Sequence, residues 1–426
     1  MKRFAPRPNP WQELFVSFLL LILGGMLLLK LPFVIHRDGL SWLDALFTST
    51  SAVCVTGLVT VPTSGFNLWG QWVILLLIQA GAIGIMTLTS SFLLAFRRPL
   101  DLKHKWMFLQ WQGGESLSGA HTVLKNILKI TFITEFAGAV LLTAGFRLDG
   151  FSWSSAVYNG IFHSISAFCN AGFSTFDDSL MHANALIKWT VAALIVIGGL
   201  GYFVIIDLLM HFPRRKISLH SHIVLVTSLV LILTGAVFFY MTENPLSAVD
   251  AVFQSVTART AGFNTVDLRL WGNASIFLLT ILMYIGASPG STGGGIKTTN
   301  FFIMIYAVFS VLKGKQSVVY RYRTISGRLI LRAFGTAVVY FIFLAAGILI
   351  LMETEQAGFK EILFEAVSAM GTVGLSLGIT PALSGTGKVV IIILMFTGRL
   401  GPASFALATL SRKKEIEITY PEAEIY

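Results

Sequence analysis

One short pattern occurs four times in this chain, each time between two long apolar runs. Each copy begins with Phe, continues through a stretch bearing Ser or Thr and then Ala, and ends with a lone Gly. The copies run from Phe47 to Gly57, from Phe162 to Gly172, from Phe253 to Gly262 and from Phe364 to Gly374. The glycines lie 115, 90 and 112 residues apart, so the unit has the size of a hairpin of membrane helices rather than of a solenoid repeat.

The apolar runs between these copies predict an all-α polytopic membrane protein. With 55% hydrophobic and 12% charged residues and a mean hydropathy of +0.76, the chain has too little polar surface for a soluble globule. A hydrocarbon core of about 30 Å requires roughly 20 apolar residues per helix. Eight spans are therefore predicted, near residues 13–35, 68–96, 123–146, 185–211, 222–242, 271–312, 328–352 and 386–410. They group into four units, at residues 1–100, 101–216, 217–320 and 321–426.

The basic residues orient these spans. Of 31 Lys and Arg, 21 lie in five places: Lys2–Arg7, Arg97–Lys129, Arg214–Lys216, Lys313–Arg332 and Arg412–Lys414. These are the N-terminus, every second loop and the C-terminus, so the positive-inside rule predicts that all five are cytoplasmic. The net charge of +10 thus needs no nucleic-acid partner. The first apolar run lacks a small-residue cleavage site and is predicted to be an uncleaved span.

Each copy of the pattern is too short to cross the membrane and lies on the side opposite the basic loops. Short helices are predicted over Leu40–Ala52, Trp153–Phe168, Leu246–Ala258 and Phe359–Met370. Asp44, Asn159, Asp250 and Glu361 are expected to cap these helices or to lie in their first turns. A segment that enters and leaves on one side is a reentrant loop, and its exposed backbone needs protein or water around it. The sequence therefore predicts four reentrant loops that shelter one another around one axis with pseudo-fourfold symmetry.

Each predicted helix leads into a triplet that ends in the repeated Gly. The triplets are Val55-Thr56-Gly57, Asn170-Ala171-Gly172, Thr260-Ala261-Gly262 and Thr372-Val373-Gly374. Glycine accepts positive φ and lets carbonyl groups face an axis, and rings of carbonyl oxygens can replace the hydration shell of K⁺. The negative ends of the four helices would favour a cation at the same place. The triplets are predicted to form a selectivity filter that holds K⁺ as its only metal ion. The four triplets, which form the walls of this filter, differ in sequence. We therefore expect weaker discrimination between K⁺ and Na⁺ than four identical strands would give.

The third copy is one residue shorter from Phe to Gly than the others, so its junction between helix and strand is expected to differ. Arg259, at the end of that helix, is predicted to brace the irregular wall rather than to contact the ion. Cys54 and Cys169 each lie seven residues after the Phe of their copy, which predicts small buried side chains rather than a disulfide or a metal site.

The sixth span is interrupted. Trp271–Gly286 supplies a helix of only about 24 Å, and residues 287–299 then contain one Pro and four Gly. A phosphate-binding loop is the alternative interpretation, but Ile296 separates Gly295 from Lys297 and no strand is predicted before the segment. Irregular backbone at this depth must face protein or a water-filled cavity.

These repeats, the stretch from Phe253 to Thr265 and the glycine-rich stretch together resemble the Trk/Ktr/HKT superfamily of potassium transporters, most closely the KtrB type of subunit. The resemblance covers nearly the whole chain. It implies K⁺ uptake that depends on Na⁺, and no covalent cofactor is expected. Because the membrane potential nearly suffices to drive K⁺ entry, Na⁺ is expected to be an activator rather than the driving ion. The resemblance also implies a homodimer that docks a cytoplasmic ring of nucleotide-binding regulatory subunits, for which Lys313–Arg328 and Ser411–Tyr426 are the candidate surfaces. Finally, it implies an intramembrane gate formed by Gly290, Ser291, Thr292, Gly293, Gly294, Gly295, Lys297 and Arg399.

Two charges near this predicted gate need an explanation. Arg399 at a helix centre would cost roughly 2.5 to 3.5 kcal/mol if unpaired, so a partner is expected. Lys297 either belongs to the gate or snorkels to the cytoplasmic edge. The histidines form no HExxH motif and no nucleophile and base stand together, so an enzyme is not expected. The alternatives to a gated pore are an alternating-access cation carrier and a membrane-embedded enzyme or receptor.

Overall fold

The chain is described here from a computed structural model that covers residues 10–35, 39–84, 120–211 and 217–401. Within these residues the fold is almost entirely helical. The helices are α1 (Pro10–Leu29), α2 (Trp42–Val53), α3 (Leu68–Ile83), α4 (Ala120–Leu148), α5 (Trp153–Phe168), α6 (Ala185–Leu200), α7 (Tyr202–His211), α8 (Leu219–Thr242), α9 (Ala248–Thr257), α10 (Asn273–Ile285), α11 (Thr298–Leu312), α12 (Gly327–Thr354), α13 (Phe359–Gly371) and α14 (Gly385–Leu400). Two short antiparallel strands, β1 (Val319–Tyr320) and β2 (Arg323–Thr324), form a hairpin between α11 and α12.

The four predicted short helices are confirmed as α2, α5, α9 and α13. Helix α5 has the predicted bounds, and the other three differ from them by one or two residues at an end. Ser41, Ser152 and Ser247 are the N-caps of the first three, each accepting a hydrogen bond from the amide three residues on. The prediction for Asn159 was wrong. Because α5 begins at Trp153, Asn159 lies in its second turn, where it is buried and accepts a hydrogen bond from Thr175.

Three of the short helices pack against the long helix before them through small residues. The hydroxyls of Ser49, Ser164 and Ser255 donate to carbonyls of the preceding helix at 2.6 to 2.7 Å. A glycine lies opposite each of these hydroxyls: Gly25, Gly138 and Gly235. Small residues let two helices approach closely in a membrane. The same contact recurs in three of the four units, which ties the repeat in the sequence to a repeat in the packing.

The second helix of every unit stops at a glycine with positive φ. The stops are Gly84, Gly201, Gly286 and Gly401, with φ of 80°, 90°, 75° and 81°. The sequence predicted an interruption in the sixth span alone, whereas the segment predicted as a span near residues 185–211 is interrupted as well. There α6 and α7 meet at Gly201 with a bend of 94°. A side chain at Gly201 would meet the carbonyl oxygen of Pro289 at 2.5 Å, so the adjacent loop requires glycine at this bend.

Among the described helices, α1, α4, α8 and α12 are long and apolar enough to cross a membrane, and α6 with α7 makes a fifth if the bent pair is one span. Helices α3, α10 and α11 are apolar but shorter. The predicted count of eight therefore stays a prediction. The ends of the predicted second and eighth spans, most of the basic clusters and the docking tail Ser411–Tyr426 lie outside the described residues.

Candidate functional site

The four repeated glycines meet in a closed ring. A Cβ added at Gly57 would lie 2.5 Å from the carbonyl oxygen of Ala171, and one at Gly172 would lie 2.6 Å from that of Ala261. A Cβ at Gly262 would lie 2.5 Å from the oxygen of Val373, and one at Gly374 would overlap the oxygen of Thr56. Real Cβ atoms essentially never approach closer than 3.0 Å. At each of the four positions the carbonyl of the next unit therefore leaves no room for a side chain, so glycine is required there. The units follow one another around the ring in chain order.

The first residue of each triplet also has left-handed backbone, although none is glycine. Val55, Asn170, Thr260 and Thr372 have φ of 56°, 59°, 77° and 49°. For a residue with a side chain this conformation costs roughly 1 to 2 kcal/mol, and it persists only where the surroundings impose it. The middle residue of each triplet is thus held between two left-handed residues, with its carbonyl against the neighbouring unit. The sequence gives no sign of this conformation at Val55, Thr260 or Thr372.

Hydrogen bonds from the short helices fix the triplets. The amides of Thr56, Ala171 and Val373 donate at 2.8 Å to the carbonyl five residues earlier. In the third unit the amide of Ala261 donates instead to Thr257, four residues earlier, at 2.9 Å. The one-residue difference in spacing is absorbed here, as the sequence predicted. All four triplets therefore begin directly at the C-terminal end of a helix, where the partial negative charge favours a cation.

Ion pairs at the outer ends of the short helices join neighbouring units. Lys188 of α6 donates to Asp250 of α9 at 2.7 Å, and Lys388 of α14 donates to Asp44 of α2 at 2.7 Å. Both carboxylates lie in the first turn of their helix, where negative charge is favourable. The two pairs connect the second unit to the third and the fourth unit to the first.

A cavity of about 340 Å³ lies on one side of the ring and is lined by all four glycines. Ser174, Ser376, Asp177 and Asp267 also face this cavity. Arg269 hydrogen-bonds the carboxyl of Asp267 and holds its pKa below the usual range, so this part of the wall keeps its negative charge as the pH falls. The cavity therefore offers carboxylate and hydroxyl oxygens on the approach to the ring.

The glycine-rich loop between α10 and α11 lies on the other side of the ring. A side chain at Gly294 would meet Oγ1 of Thr372 at 2.5 Å, and one at Gly293 would overlap Oγ1 of Thr260. Oγ1 of Thr292 donates to the carbonyls of Phe168 and Gly198 at 3.4 and 3.3 Å. The loop thus contacts the first residue of two triplets, whereas the glycine at the end of each triplet faces the cavity. The ring of triplets therefore separates the loop from the cavity.

The remaining loop residues tie the loop to α6 and α7 and to itself. The amides of Ser288 and Tyr202 donate to the carbonyls of Gly199 and Gly290 at 3.1 Å. Ser291 donates to the carbonyl of Ser288 at 2.5 Å. The ammonium of Lys297 donates to the carbonyl of Gly293 at 2.5 Å. Lys297 therefore folds back onto the loop and does not snorkel, and its place in the gate stays a prediction.

Arg399, in the last turn of α14, has the partners that the sequence required. Its guanidinium donates to the carbonyl of Thr292 in the loop and, at 2.6 Å, to the carbonyl of Gly81 in α3. Within the described residues no carboxylate pairs with it, and its Nε has no partner. Arg399 thus links the loop to two helices from different units.

Arg259 is 7% exposed, and its Nε has no hydrogen-bond partner in the described part of the chain. Its predicted bracing role stays a prediction. The two cysteines are buried and unpaired, as predicted.

Sequence reasoning missed Glu135, which is buried in the middle of α4. Its carboxylate accepts hydrogen bonds from Gln79 of α3 at 2.9 and 3.2 Å, and the thiol of Cys169 lies 3.8 Å away. Ile22 and Ile232 occupy the matching place in their units, since each of the three backbone carbonyls accepts from the equivalent serine. A single acid inside an apolar run was the available signal, because ionisable residues at this depth mark functional sites.

A helical membrane fold in which four triplets bring their carbonyls into a closed ring is suited to a cation-transporting protein. The family model described as TrkH, cation transport protein, matches residues 9–415, and the chain belongs to this family. The family consists of cation transporters, not enzymes. These findings confirm the predicted resemblance and the all-α membrane class.

Similar proteins cover the chain along its whole length. The potassium/sodium uptake protein NtpJ of Enterococcus hirae is 38% identical over 100% of this chain and 98% of its own. The Ktr system potassium uptake protein B of Bacillus subtilis is 36% identical, covering 99% and 97%, and that of Vibrio alginolyticus is 37% identical, covering 99% and 95%. The crystal structure of the potassium transporter TrkH from Vibrio parahaemolyticus matches the fold with a TM-score of 0.76 at 19% identity, covering 96% of this chain and 86% of that one.

Proposed function

We propose that this chain carries K⁺ into the cell across the cytoplasmic membrane, through a filter formed by its four triplets. The closed ring of Gly57, Gly172, Gly262 and Gly374 carries this proposal, because it turns four backbone segments of one chain toward a common axis. Carbonyl oxygens in such rings substitute for the water around K⁺. Relatives with full-length similarity are named as potassium uptake proteins, which supports the choice of ion.

The proposed architecture is four fused units, each a membrane helix, a reentrant short helix and a second membrane helix, with eight spans around one pore. The repeated serine contacts and the four equivalent glycine stops support it. Both termini are proposed to be cytoplasmic, since the basic clusters occur at the ends of the chain and in alternate loops.

The membrane potential is the proposed driving force. It supplies about 2.3 kcal/mol per charge at 100 mV, while a hundredfold K⁺ gradient opposes entry with about 2.7 kcal/mol. At that voltage the membrane potential alone is therefore nearly enough to drive K⁺ into the cell against the gradient. We therefore assign Na⁺ the role of an activator, and the name of the Enterococcus relative, which includes sodium, is consistent with a role for this ion.

The loop of residues 290–297 and Arg399 are proposed to be the gate. The loop contacts Thr260 and Thr372 on the side of the ring opposite the cavity, and Arg399 places a positive charge beside it. A cation leaving the filter on that side meets both the loop and the charge. Displacement of the loop would open this exit.

The proposed assembly is a homodimer with a cytoplasmic ring of regulatory subunits. Two relatives are named as parts of a Ktr system, which supports a complex of several proteins. The exposed β1–β2 hairpin, with Arg321 and Tyr322 at its tip, is the described part of the proposed docking surface.

Flux into liposomes containing the purified protein tests the proposed function. With an inside-negative potential we expect uptake of K⁺ and Rb⁺ to exceed uptake of Na⁺ and Li⁺. The rate should rise with added Na⁺ and should not follow an imposed Na⁺ gradient. Absence of selective cation flux would favour a membrane-embedded enzyme or receptor. Slow, saturable flux with counterflow would favour an alternating-access carrier.

A further inference from the structure

The residue directly after the repeated Phe is polar and fully buried in all four short helices. These residues are Thr48, His163, Gln254 and Glu365, each with 0% exposure. They occupy one equivalent position behind the ring, yet the four side chains differ in length and charge. Burying a polar group is unfavourable unless a hydrogen bond compensates, so each of them needs a partner.

In three units the partner lies on the segment that leaves the ring after the glycine. Nε2 of His163 is 3.0 Å from Oγ of Ser174, and Nε2 of Gln254 donates to Oγ1 of Thr265 at 3.4 Å. In the fourth unit Oγ of Ser376 donates to Glu365 at 2.7 Å. Every partner comes 11 residues after the helix residue, so one equivalent contact is made with three different side chains.

The first unit lacks this contact. The residue 11 positions after Thr48 is Val59, which has no hydroxyl. Oγ1 of Thr48 is buried and has no hydrogen-bond partner among the described residues. In the first unit, therefore, no hydrogen bond joins the residue after the Phe to the residue 11 positions later.

Two of the three existing contacts have further support, whereas Oε1 of Gln254 is buried and has no hydrogen-bond partner among the described residues. Nδ1 of His163 bonds the carbonyl of Asn159 at 2.9 Å, and its ring stacks on Phe176 at 5.3 Å. Glu365 also accepts a hydrogen bond from Thr380, so both of its oxygens are engaged. Backbone bonds already fix each triplet before its glycine, and these contacts fix the chain after it. Supporting groups of this kind set the precision of a binding site.

We propose that His163, Gln254 and Glu365 are positioning residues for ion selectivity, and that the wall containing Thr48 and Val59 is the compliant side of the filter. Each contact restrains the outgoing segment, so the carbonyls of that wall keep the spacing that suits K⁺. The inference rests on the proposed filter and adds to it which residues determine its stringency.

Replacing Ser376 with Ala tests the proposal, because it removes one hydroxyl from Glu365 and leaves the triplet unchanged. Oγ of Ser376 also accepts hydrogen bonds from the amide of Gly378 and from Thr380, so the variant loses these as well. We expect the K⁺/Na⁺ flux ratio in liposomes to fall by at least about threefold, since the net loss of even one hydrogen bond corresponds to a factor of about three to ten. Ser376→Thr keeps a hydroxyl and should retain the ratio. Thr336→Ala is the matched control, since it removes a hydroxyl that donates to the carbonyl of Arg332 on the exposed surface of α12, away from the ring, and it should leave the ratio unchanged.

Ser174→Ala repeats the test in the second unit if Ser376→Ala does not assemble. An unchanged ratio in the serine variants, or an equal fall in Thr336→Ala, would overturn the inference. The proposed function fails in a different way, through a lack of K⁺ preference in the unsubstituted chain, and that result would overturn both.

Discussion

Gly374→Ala is expected to abolish the preference for K⁺ over Na⁺, with K⁺ flux falling to near background. The added Cβ would overlap the carbonyl oxygen of Thr56 and lie 2.9 Å from the Cα of Gly57, and the backbone at Gly374 has φ of 90°. Neither obstacle can be relieved by a side-chain rotation, because both involve the backbone. The triplet Val55-Thr56-Gly57 must therefore shift, and its carbonyl oxygens no longer lie at the distance from the axis that suits K⁺. Selectivity in liposomes, measured beside the elution profile of the purified protein, separates a damaged filter from failed assembly.

Gly24→Ala is the matched control for this substitution. Gly24 lies inside α1 with open space around its Cβ position, and Ala is favoured over Gly within a helix. This variant should retain flux and selectivity. The same loss is expected at Gly57, Gly172 and Gly262, whether the new residue is Ala or Ser. Unchanged selectivity in all four glycine variants would rule out the ring as the filter.

Arg399→Gln is expected to raise K⁺ flux about tenfold. The substitution removes a positive charge from the exit side of the ring and removes the bonds to Thr292 and Gly81. A hydrogen bond from a charged group is worth roughly 1.5 to 3 kcal/mol, and 1.4 kcal/mol corresponds to a factor of ten in the population of an open loop. Initial rates of ⁸⁶Rb⁺ uptake at fixed protein content measure the change.

Arg399→Lys separates the two causes. Lysine keeps the charge, but its single ammonium cannot bridge two carbonyls as the planar guanidinium does. Low flux in this variant would assign the barrier to charge, and high flux would assign it to the link between loop and helices. Deletion of residues 290–295 should raise flux in either case. If none of these variants changes the rate, the loop and Arg399 are structural elements and not a gate.

The sequence predicts those parts of this molecule that local patterns determine. The short helices follow from the acidic residues in three of their first turns and from the apolar runs around them, which lie close to each helix in sequence. The serine caps Ser41, Ser152 and Ser247 were not predicted. The register of the four triplets follows from the repeated Phe and Gly. The altered junction in the third unit could be predicted because one missing residue must change the hydrogen bond that closes the helix at Ala261.

Features that depend on contacts between units could not be predicted. The left-handed backbone at Val55 and Thr372 is imposed by closure of the ring, and neither residue type favours that conformation. The stops at Gly84, Gly201 and Gly401 resemble ordinary glycines within apolar runs until the loop beside Gly201 is known. The partners of Arg399 are backbone carbonyls from two other units, which no side-chain pattern marks.

The most direct measurement of the central claim is the position of a heavy K⁺ analogue in crystals of the protein. Crystals grown with Tl⁺ or Rb⁺ should show anomalous density on the axis among the carbonyls of Thr56, Ala171, Ala261 and Val373. Replacement by Na⁺ should remove or weaken that density. Anomalous density found elsewhere in the molecule, with none inside the ring, would contradict the assignment of these four walls as the filter.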